Sequence, residues 1–488
     1  MKNLLKISVL ASVLIVASCR DDDETVPPPP PTSAIDLKDH SVTPNFILDL
    51  QGDLEVYSLF GSADTLPDSP NFRFGGSADG AGLLYNPDGT FSYLVNCENH
   101  FSVAKVTFDK TFKPVAGEYI YNSAGSDGTR LCSASLATPE IHGFGPLFLT
   151  AGESGEESMI SGISPFATAA ENNTPRFLPA LGKASFENAM PLPADAYKGR
   201  TVIIMGEDDT TSGRITMYDA TTGDLENGSV YALVVKDSEG KPIVAENALP
   251  EGQEFAVEFV EIPNAKTLTG EEIEATADGF SAMPFKRVED LDYQKGEGNE
   301  RTVFFNVTGS GSSRNPEGTT QGRVYQLVLD ADDKFSGKLT CVIDGDNPEG
   351  IIGTRVLQSP DNITVTKNFA YIKEDPNGGI DLAHSSYIWK YDIANKTLVP
   401  VVELNVKGGV GVPNDPYGRT DLDQTEQFRA WEYGSMIDVS DIIGVDNTFM
   451  VAIQTHTWRN ELFVGVDGGG RSDDDQGSQV VLIKGLPR

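Results

Sequence analysis

The sequence predicts an all-β chain built as a β-propeller, and two observations carry that expectation. Helical periodicity is hard to find after residue 40; short β-rich runs separated by Gly, Asp, Asn and Pro recur instead. A local pattern also returns. Gly213-Arg214-Ile215-Thr216-Met217-Tyr218-Asp219 is echoed by Gly322-Arg323-Val324-Tyr325-Gln326-Leu327-Val328-Leu329-Asp330 and, more loosely, by Ile388-Trp389-Lys390-Tyr391-Asp392. Each copy is a strand ending near an acidic turn, as in successive blades. The copies diverge too far for blades to be counted by inspection, and an array of β-sandwiches is the competing architecture.

The amino terminus comes first in chain order. Met1 to Ser18 reads as an export signal: Lys2 and Lys6 supply the positive region, and Ile7 to Val16 is apolar apart from Ser8 and Ser12. Ala17 and Ser18 are small residues directly before Cys19, a pattern that resembles the bacterial lipobox and implies lipidation of Cys19. The acidic run Asp21-Asp22-Asp23-Glu24 resembles the surface-export signal of Bacteroidetes lipoproteins. Residues 19–40 then form an acidic, Pro-rich tether, with Pro27 to Pro31 as a polyproline II spacer of ~3.1 Å per residue. No other stretch approaches the ~18 apolar residues of a spanning helix. The expectation is an exported monomer at the outer membrane or cell surface, touching the membrane through its N-terminal lipid only.

The folded body is expected over residues 41–488. Predicted strands include Phe91–Val95, Val103–Phe108, Leu147–Thr150, Thr201–Met205, Ser229–Val235, Thr302–Val307, Arg323–Leu329, Lys338–Ile343, Phe369–Ile372, Ile388–Tyr391, Phe449–Ile453 and Gln479–Ile483. Asn86-Pro87-Asp88-Gly89 is a strong tight-turn signal. The chain's 37 Lys+Arg against 72 Asp+Glu leave a net charge of −35. Nucleic acid is therefore a poor partner, because a phosphate backbone is held mainly by Lys and Arg. Electrostatic docking on anionic lipid is disfavoured for the same reason.

Beyond Cys19 the cysteines are Cys97, Cys132 and Cys341, with no CxxC pair, and the five histidines show neither HExxH nor HxH spacing. A histidine- or cysteine-built zinc or copper centre is not expected. Acidic residues do stand at strand ends: Glu98 after Asn96-Cys97, Glu153, Glu207 to Asp209, Glu289-Asp290, Asp361-Asn362, Glu374-Asp375 and Glu432, with Gln454 and His456 closing a late strand. In a propeller such ends converge on the central channel. Converging carboxylates cannot all stay ionised without a cation between them. Oxygen-rich sites of this sort suit Ca²⁺ or a hard ion such as Fe³⁺. Taken one at a time, each of these acids reads more readily as a solvated turn residue than as a ligand.

The order of these segments resembles the PhoX-type alkaline phosphatase family, from Gly75 to Arg488. Ala78-Asp79-Gly80-Ala81-Gly82 and Leu94-Val95-Asn96-Cys97-Glu98 resemble its opening Asp-Gly and Asn-His-Glu elements. Leu131-Cys132-Ser133-Ala134-Ser135 and Leu147-Phe148-Leu149-Thr150-Ala151-Gly152-Glu153-Ser154 resemble its Asn-Cys-Ala-Gly-Gly and Leu-Thr-Cys-Glu-Glu-Asn elements. Phe285-Lys286-Arg287-Val288-Glu289-Asp290 is similar to its Arg-Pro-Glu-Asp. Ser359-Pro360-Asp361-Asn362-Ile363 with Tyr371-Ile372-Lys373-Glu374-Asp375 resembles its late strand pair, and Glu432 with Ile453-Gln454-Thr455-His456 its closing elements.

The resemblance implies a six-bladed propeller with a Ca²⁺ and Fe³⁺ cluster that hydrolyses small phosphate monoesters. By that resemblance Glu98, Glu153, Glu289, Asp361, Glu374 and Glu432 are metal ligands. Asn96, Asn362, Asp375 and Gln454 are second-rank ligands or orienting groups, Arg287 contacts the phosphate, and His456 is an acid or an orienter. The segment Ala151-Gly152-Glu153-Ser154 lacks the family's iron-binding Cys, and Cys97 stands where the family has His. Ca²⁺, which needs only oxygens, is thus the firmer cofactor and Fe³⁺ the second. The alternatives are a propeller lipoprotein that binds a nutrient or ferric chelate for an outer-membrane transporter, and an esterase of lactones or phosphodiesters.

Overall fold

The computed structural model describes residues 34–174, 176–376, 384–406, 416–418, 430–471 and 474–488. The predicted signal, Cys19 and the Pro27–Pro31 run lie outside these residues. No helix among the described residues is long and apolar enough to cross a membrane.

The chain is all-β with a propeller-like arrangement of antiparallel sheets around a central channel. Strands β1 (Ile47–Asp49) and β2 (Glu55–Gly61) precede the first complete sheet, β3 to β6 (Ala78–Tyr85, Phe91–Cys97, Ser102–Phe108, Pro114–Tyr121). The next sheet is β7 to β9 (Leu131–Ala137, Leu147–Gly152, Ser161–Ile163). A 10-stranded sheet follows. It holds β10 to β13 (Phe186–Pro191, Arg200–Glu207, Ile215–Thr221, Ser229–Lys236), β14 (Pro242–Ile243), β15 (Glu254–Ile262) and β16 to β19 (Val288–Tyr293, Thr302–Val307, Arg323–Leu329, Ser336–Asp344). Then come β20 to β23 (Pro360–Val365, Phe369–Glu374, Tyr387–Asp392, Thr397–Leu404) and β24 to β26 (Trp431–Asp438, Thr448–Arg459, Gln476–Lys484).

Strands β3, β7, β10, β16, β20 and β24 are innermost. Each packs against the next, and β24 packs against β3, so the inner wall closes on itself. Closure also involves the chain's two ends. β2 pairs with β26, Tyr57 opposite Leu482, and β1 completes the sheet of β23, Ile47 opposite Leu404. Pairing early strands with late ones covers edges that would otherwise invite association. Apolar faces meet between neighbouring sheets: Phe60, Tyr93, Val95, Ala452 and Leu482 share one cluster, and Trp431, Ile453, Tyr371 and Val402 another.

The predicted strands are all present, two at the predicted bounds and the others longer. The expected turn at Asn86 to Gly89 forms: Gly89 takes φ +87° and its N–H donates to the Asn86 carbonyl at 2.9 Å. Two features were not expected. β15 bridges β13 and β19 and so fuses two four-stranded runs. An α-helix spans Gly270–Gly279, opened by a reciprocal capping box between Thr269 and Glu272.

Candidate active site

The site follows from one repeated local rule. Every inner strand begins with an apolar residue followed by a metal-capable donor: Ala78-Asp79, Leu131-Cys132, Phe186-Glu187, Val288-Glu289, Pro360-Asp361 and Trp431-Glu432. The first residue of each pair is in register with the second strand of its sheet: Ala78 faces Cys97, Leu131 faces Gly152, Phe186 faces Glu207, Val288 faces Val307, Pro360 faces Glu374 and Trp431 faces Thr455. Register then shifts within the next residues of all six strands. Such bulges re-aim a side chain and end regular pairing. In five strands the shift falls directly after the first residue of the pair, leaving the second unpaired; in β24 Glu432 still pairs with Gln454 and the shift follows Tyr433.

A second tier lies one residue beyond each of those partners: Glu98, Glu153, Asp208, Thr308, Asp375 and His456. Thr308 departs from the pattern; its N–H donates to the Arg287 carbonyl at 3.0 Å. Strand pleating explains why the partners themselves point elsewhere, since successive side chains face opposite ways. Glu374, expected as a ligand, is the clearest correction. It is fully buried away from the cavity, and its carboxylate accepts from the N–H groups of Gln358 and Tyr387 at 2.8 and 2.9 Å and from Trp389 Nε1 at 2.8 Å. Its neighbour Asp375 takes the cavity position.

The resulting cavity measures about 330 Å³ and is lined by nine carboxylates: Asp79, Glu98, Glu153, Glu187, Asp208, Glu289, Asp361, Asp375 and Glu432. The cations lining it are Arg130 and Arg287, and His456 lines it too. Donor atoms converge within 4.8 Å in four groups: Asp79–Cys132–Glu187, Glu98–Cys132–Glu153, Glu187–Glu289–Asp361 and Asp361–Asp375–Glu432. Burial, then repulsion from a neighbouring carboxylate, raises the acids. Asp79 feels Glu98, Glu187 and Glu432 feel Asp361 and Asp375 respectively, and Glu289 feels Asp208. Glu153 is pushed up to about 8 by burial and then by Asp208. Burial alone would strip so many acids of their charge, and their oxygens are grouped closely enough that they could hold a metal ion.

The remaining side chains orient this set. Arg287 Nε and Nη2 fork onto Asp208 at 2.7 and 2.8 Å, and Nη2 also meets Glu289 at 3.0 Å. Its backbone is left-handed at φ +69°, a strained conformation held by an N–H bond to the Asp209 carbonyl at 3.0 Å. His456 Nε2 lies 2.7 Å from Glu432, and Nδ1 contacts Gln476. Asn362 donates to Asp79 Oδ1 at 3.2 Å and Ser133 at 2.8 Å. Asn96 donates to the Cys132 carbonyl, and Asn306 likewise to the Asp361 carbonyl at 2.6 Å. Asn96 and Asn306 thus each steady the donor residue of the following inner strand, whereas Asn362 on β20 reaches β3 and β7.

Of the residues expected from sequence, Glu98, Glu153, Glu289, Asp361, Glu432, Asp375, Gln454, Arg287 and His456 line the cavity. Asn96 and Asn362 stand behind it as orienting groups, and Glu374 lies outside it. Asp79 and Cys132, present in the motifs of the resemblance, and Asp208, among the acids at strand ends, carried no expected role, and Glu187 and Arg130 carry no signal in the sequence. The missing thiol is a second correction. Cys132 lines the cavity and its Sγ lies 3.0 Å from Glu153 Oε2, so the site does contain a cysteine, on another strand from the one expected. Cys97 points into the core, where a Cβ on Gly75 would stand 3.1 Å from its sulfur. The described cysteines Cys97, Cys132 and Cys341 are all buried free thiols.

Fold and cavity together define a propeller-like protein with an acidic, thiol-containing pocket at one end of its channel. Among solved structures, it is similar to the PhoX protein of Pseudomonas fluorescens in complex with vanadate, a transition-state analogue, with TM-score 0.63, 13% identity and coverage of 90% of this chain and 96% of that one. The polysaccharide lyase Uly1 (TM-score 0.33, 8% identity, 85% and 92% coverage) and a putative 6-phosphogluconolactonase from Bacteroides fragilis (TM-score 0.28, 12% identity, 65% and 82% coverage) match too weakly to bear on fold or function. No family model and no curated protein matches the sequence.

Proposed function

We propose that this chain is a metal-dependent phosphomonoester hydrolase, built as a six-bladed propeller whose 10-stranded sheet is two blades fused through β15. The observation that carries the reading is the convergence of nine carboxylates and the Cys132 thiol on one small cavity. The likeness to the PhoX protein solved in complex with vanadate, a transition-state analogue, supports the same reading.

The donor chemistry fits the expected metals. Carboxylate-only groups such as Glu187–Glu289–Asp361 and Asp361–Asp375–Glu432 suit Ca²⁺. The Cys132 groups, with a thiolate beside carboxylates, suit Fe³⁺. When bound, such metals neutralise phosphate oxygens and activate an oxygen nucleophile. The chain's own residues do the rest. Arg287, its fork already committed to Asp208, offers Nη1 to a phosphate oxygen from a fixed position. His456, with one ring nitrogen on Glu432 and the other on Gln476, acts as an orienter of the Glu432 carboxylate. Export, lipid anchoring at Cys19, and a monomeric protein at the outer membrane or cell surface belong to the same proposal.

The test is hydrolysis of p-nitrophenyl phosphate by the purified chain with Ca²⁺, before and after chelation. Turnover that chelator abolishes, that added metal restores and that Glu289→Gln loses supports the hydrolase. Absent turnover with tight capture of a ferric chelate supports the carrier reading, and turnover confined to lactones or phosphodiesters supports the esterase.

A further inference from the structure

Arg130 and Arg287 occupy the same place in the inner-strand pattern. Each directly precedes the apolar–donor pair that opens its strand, Leu131-Cys132 and Val288-Glu289. The corresponding residues elsewhere are Ser77, Ser185, Ser359 and Ala430. Each arginine also reaches the second-tier acid of the preceding sheet, Glu98 for Arg130 and Asp208 for Arg287. Their restraint differs sharply. Arg287 is forked onto Asp208 and tied to Glu289. Arg130 touches its acids through Nη1 alone, at 3.2 Å from Glu98 and 3.8 Å from Glu153, and its side chain is 45% exposed. Its backbone, by contrast, is fixed: the N–H donates to Ser154 Oγ at 2.9 Å and the carbonyl accepts from the Glu153 N–H at 3.0 Å. The result is a mobile cation on a rigid root.

Glu98 and Glu153 are two of the three members of the donor group completed by Cys132. The guanidinium therefore bears on the same oxygens that a metal there would take. Two positive charges cannot share those oxygens at contact distance without mutual repulsion. A guanidinium released from them still lines the same cavity as the fixed Arg287.

We propose that Arg130 is a tethered counter-ion of the Glu98–Cys132–Glu153 group that gives way to metal and then turns onto the phosphate of the substrate. The inference rests on the hydrolase reading and extends it. It makes Arg130 an antagonist of metal loading and, in the loaded protein, an aid to phosphate binding. A residue with a merely structural role would not move those two affinities in opposite directions.

The experiment loads the chelator-treated full chain and Arg130→Gln with Ca²⁺, titrates Fe³⁺ as its citrate chelate into both by calorimetry, then titrates inorganic phosphate into both metal-loaded proteins. The expected result is Fe³⁺ bound about tenfold tighter by R130Q, and phosphate bound about tenfold more weakly. Arg130→Lys, which keeps the charge but not the fork, should lie between wild type and R130Q on both axes. Equal affinities in wild type and R130Q, or changes in the same direction, overturn the role of Arg130 and leave the hydrolase reading standing. Wild type that binds neither metal nor phosphate overturns both.

Discussion

At the scale of single residues, the site is set by what stands behind its donors. Asn362 bonds Asp79 and Ser133 at once, tying the inner wall of one sheet to two others. Removing such a support typically weakens a metal site without deleting a ligand. Asn362→Leu is expected to lower metal affinity about 10- to 100-fold while Glu289 and Asp361 remain in place, measured by equilibrium dialysis against Ca²⁺. The residues legible in the sequence were those next to turn signals, such as Glu98, Glu153 and Glu432. Glu187 was not, because it sits inside the buried run Phe186–Pro191 with nothing beside it to mark a strand start. Cys132 stands in the motif Leu131–Ser135, but the resemblance sets the iron-binding thiol in the Ala151-Gly152-Glu153 segment, whereas the thiol in the cavity comes from the neighbouring strand.

At the scale of strands, the deciding variable is the pleat. A strand's existence can be read from its β-branched and aromatic content, and that reading held for every run named. Which of two adjacent acids faces the channel depends on the bulge, which propensity does not reveal. Glu374 and Asp375 make the point, one residue apart and on opposite faces. Glu374→Gln is accordingly expected to cost about 1–3 kcal/mol of stability through its weakened bonds to Gln358, Tyr387 and Trp389, with metal content unchanged. Denaturant unfolding and metal analysis of the same preparation separate the two effects. The repeat seen in sequence has a structural meaning too. Its three copies are β12, β18 and β22, each third from the channel in its own run of strands. Position in a sheet, more than function, preserved the likeness. The helix Gly270–Gly279 was missed although Thr269 and Glu272 carry a capping box, because the segment has little apolar periodicity to draw the eye.

At the scale of the whole molecule, fold and function meet in charge. Closure of the inner wall carries the donors of six strands to one end of the channel, and the chain accepts a concentration of acid that no ordinary core would tolerate. Without metal, protonation relieves it. Glu153 is raised to about 8, with Glu246 at about 7 and Asp290 at about 6 also raised by burial. Each folded-state value lies above the unfolded one, so the folded chain holds more protons than the unfolded chain between about pH 4 and 8. Stability of the metal-free protein should therefore be greatest near the acid end of that window and fall as pH rises through it. Saturating Ca²⁺ should flatten the fall by replacing protons with metal. Thermal melts from pH 5 to pH 8.5, with chelator and with Ca²⁺, show the two slopes directly; a metal-free protein that gains stability over that range contradicts the picture.

The most direct test of the central claim, that this cavity exists to hold cations, is elemental analysis of the full chain purified without chelator, beside the double variant Glu289→Gln, Asp361→Asn. The account predicts stoichiometric Ca²⁺ accompanied by iron in the wild-type protein, and loss of most of that metal from the variant. A wild-type protein that emerges free of metal, and takes up none from millimolar Ca²⁺, would contradict it.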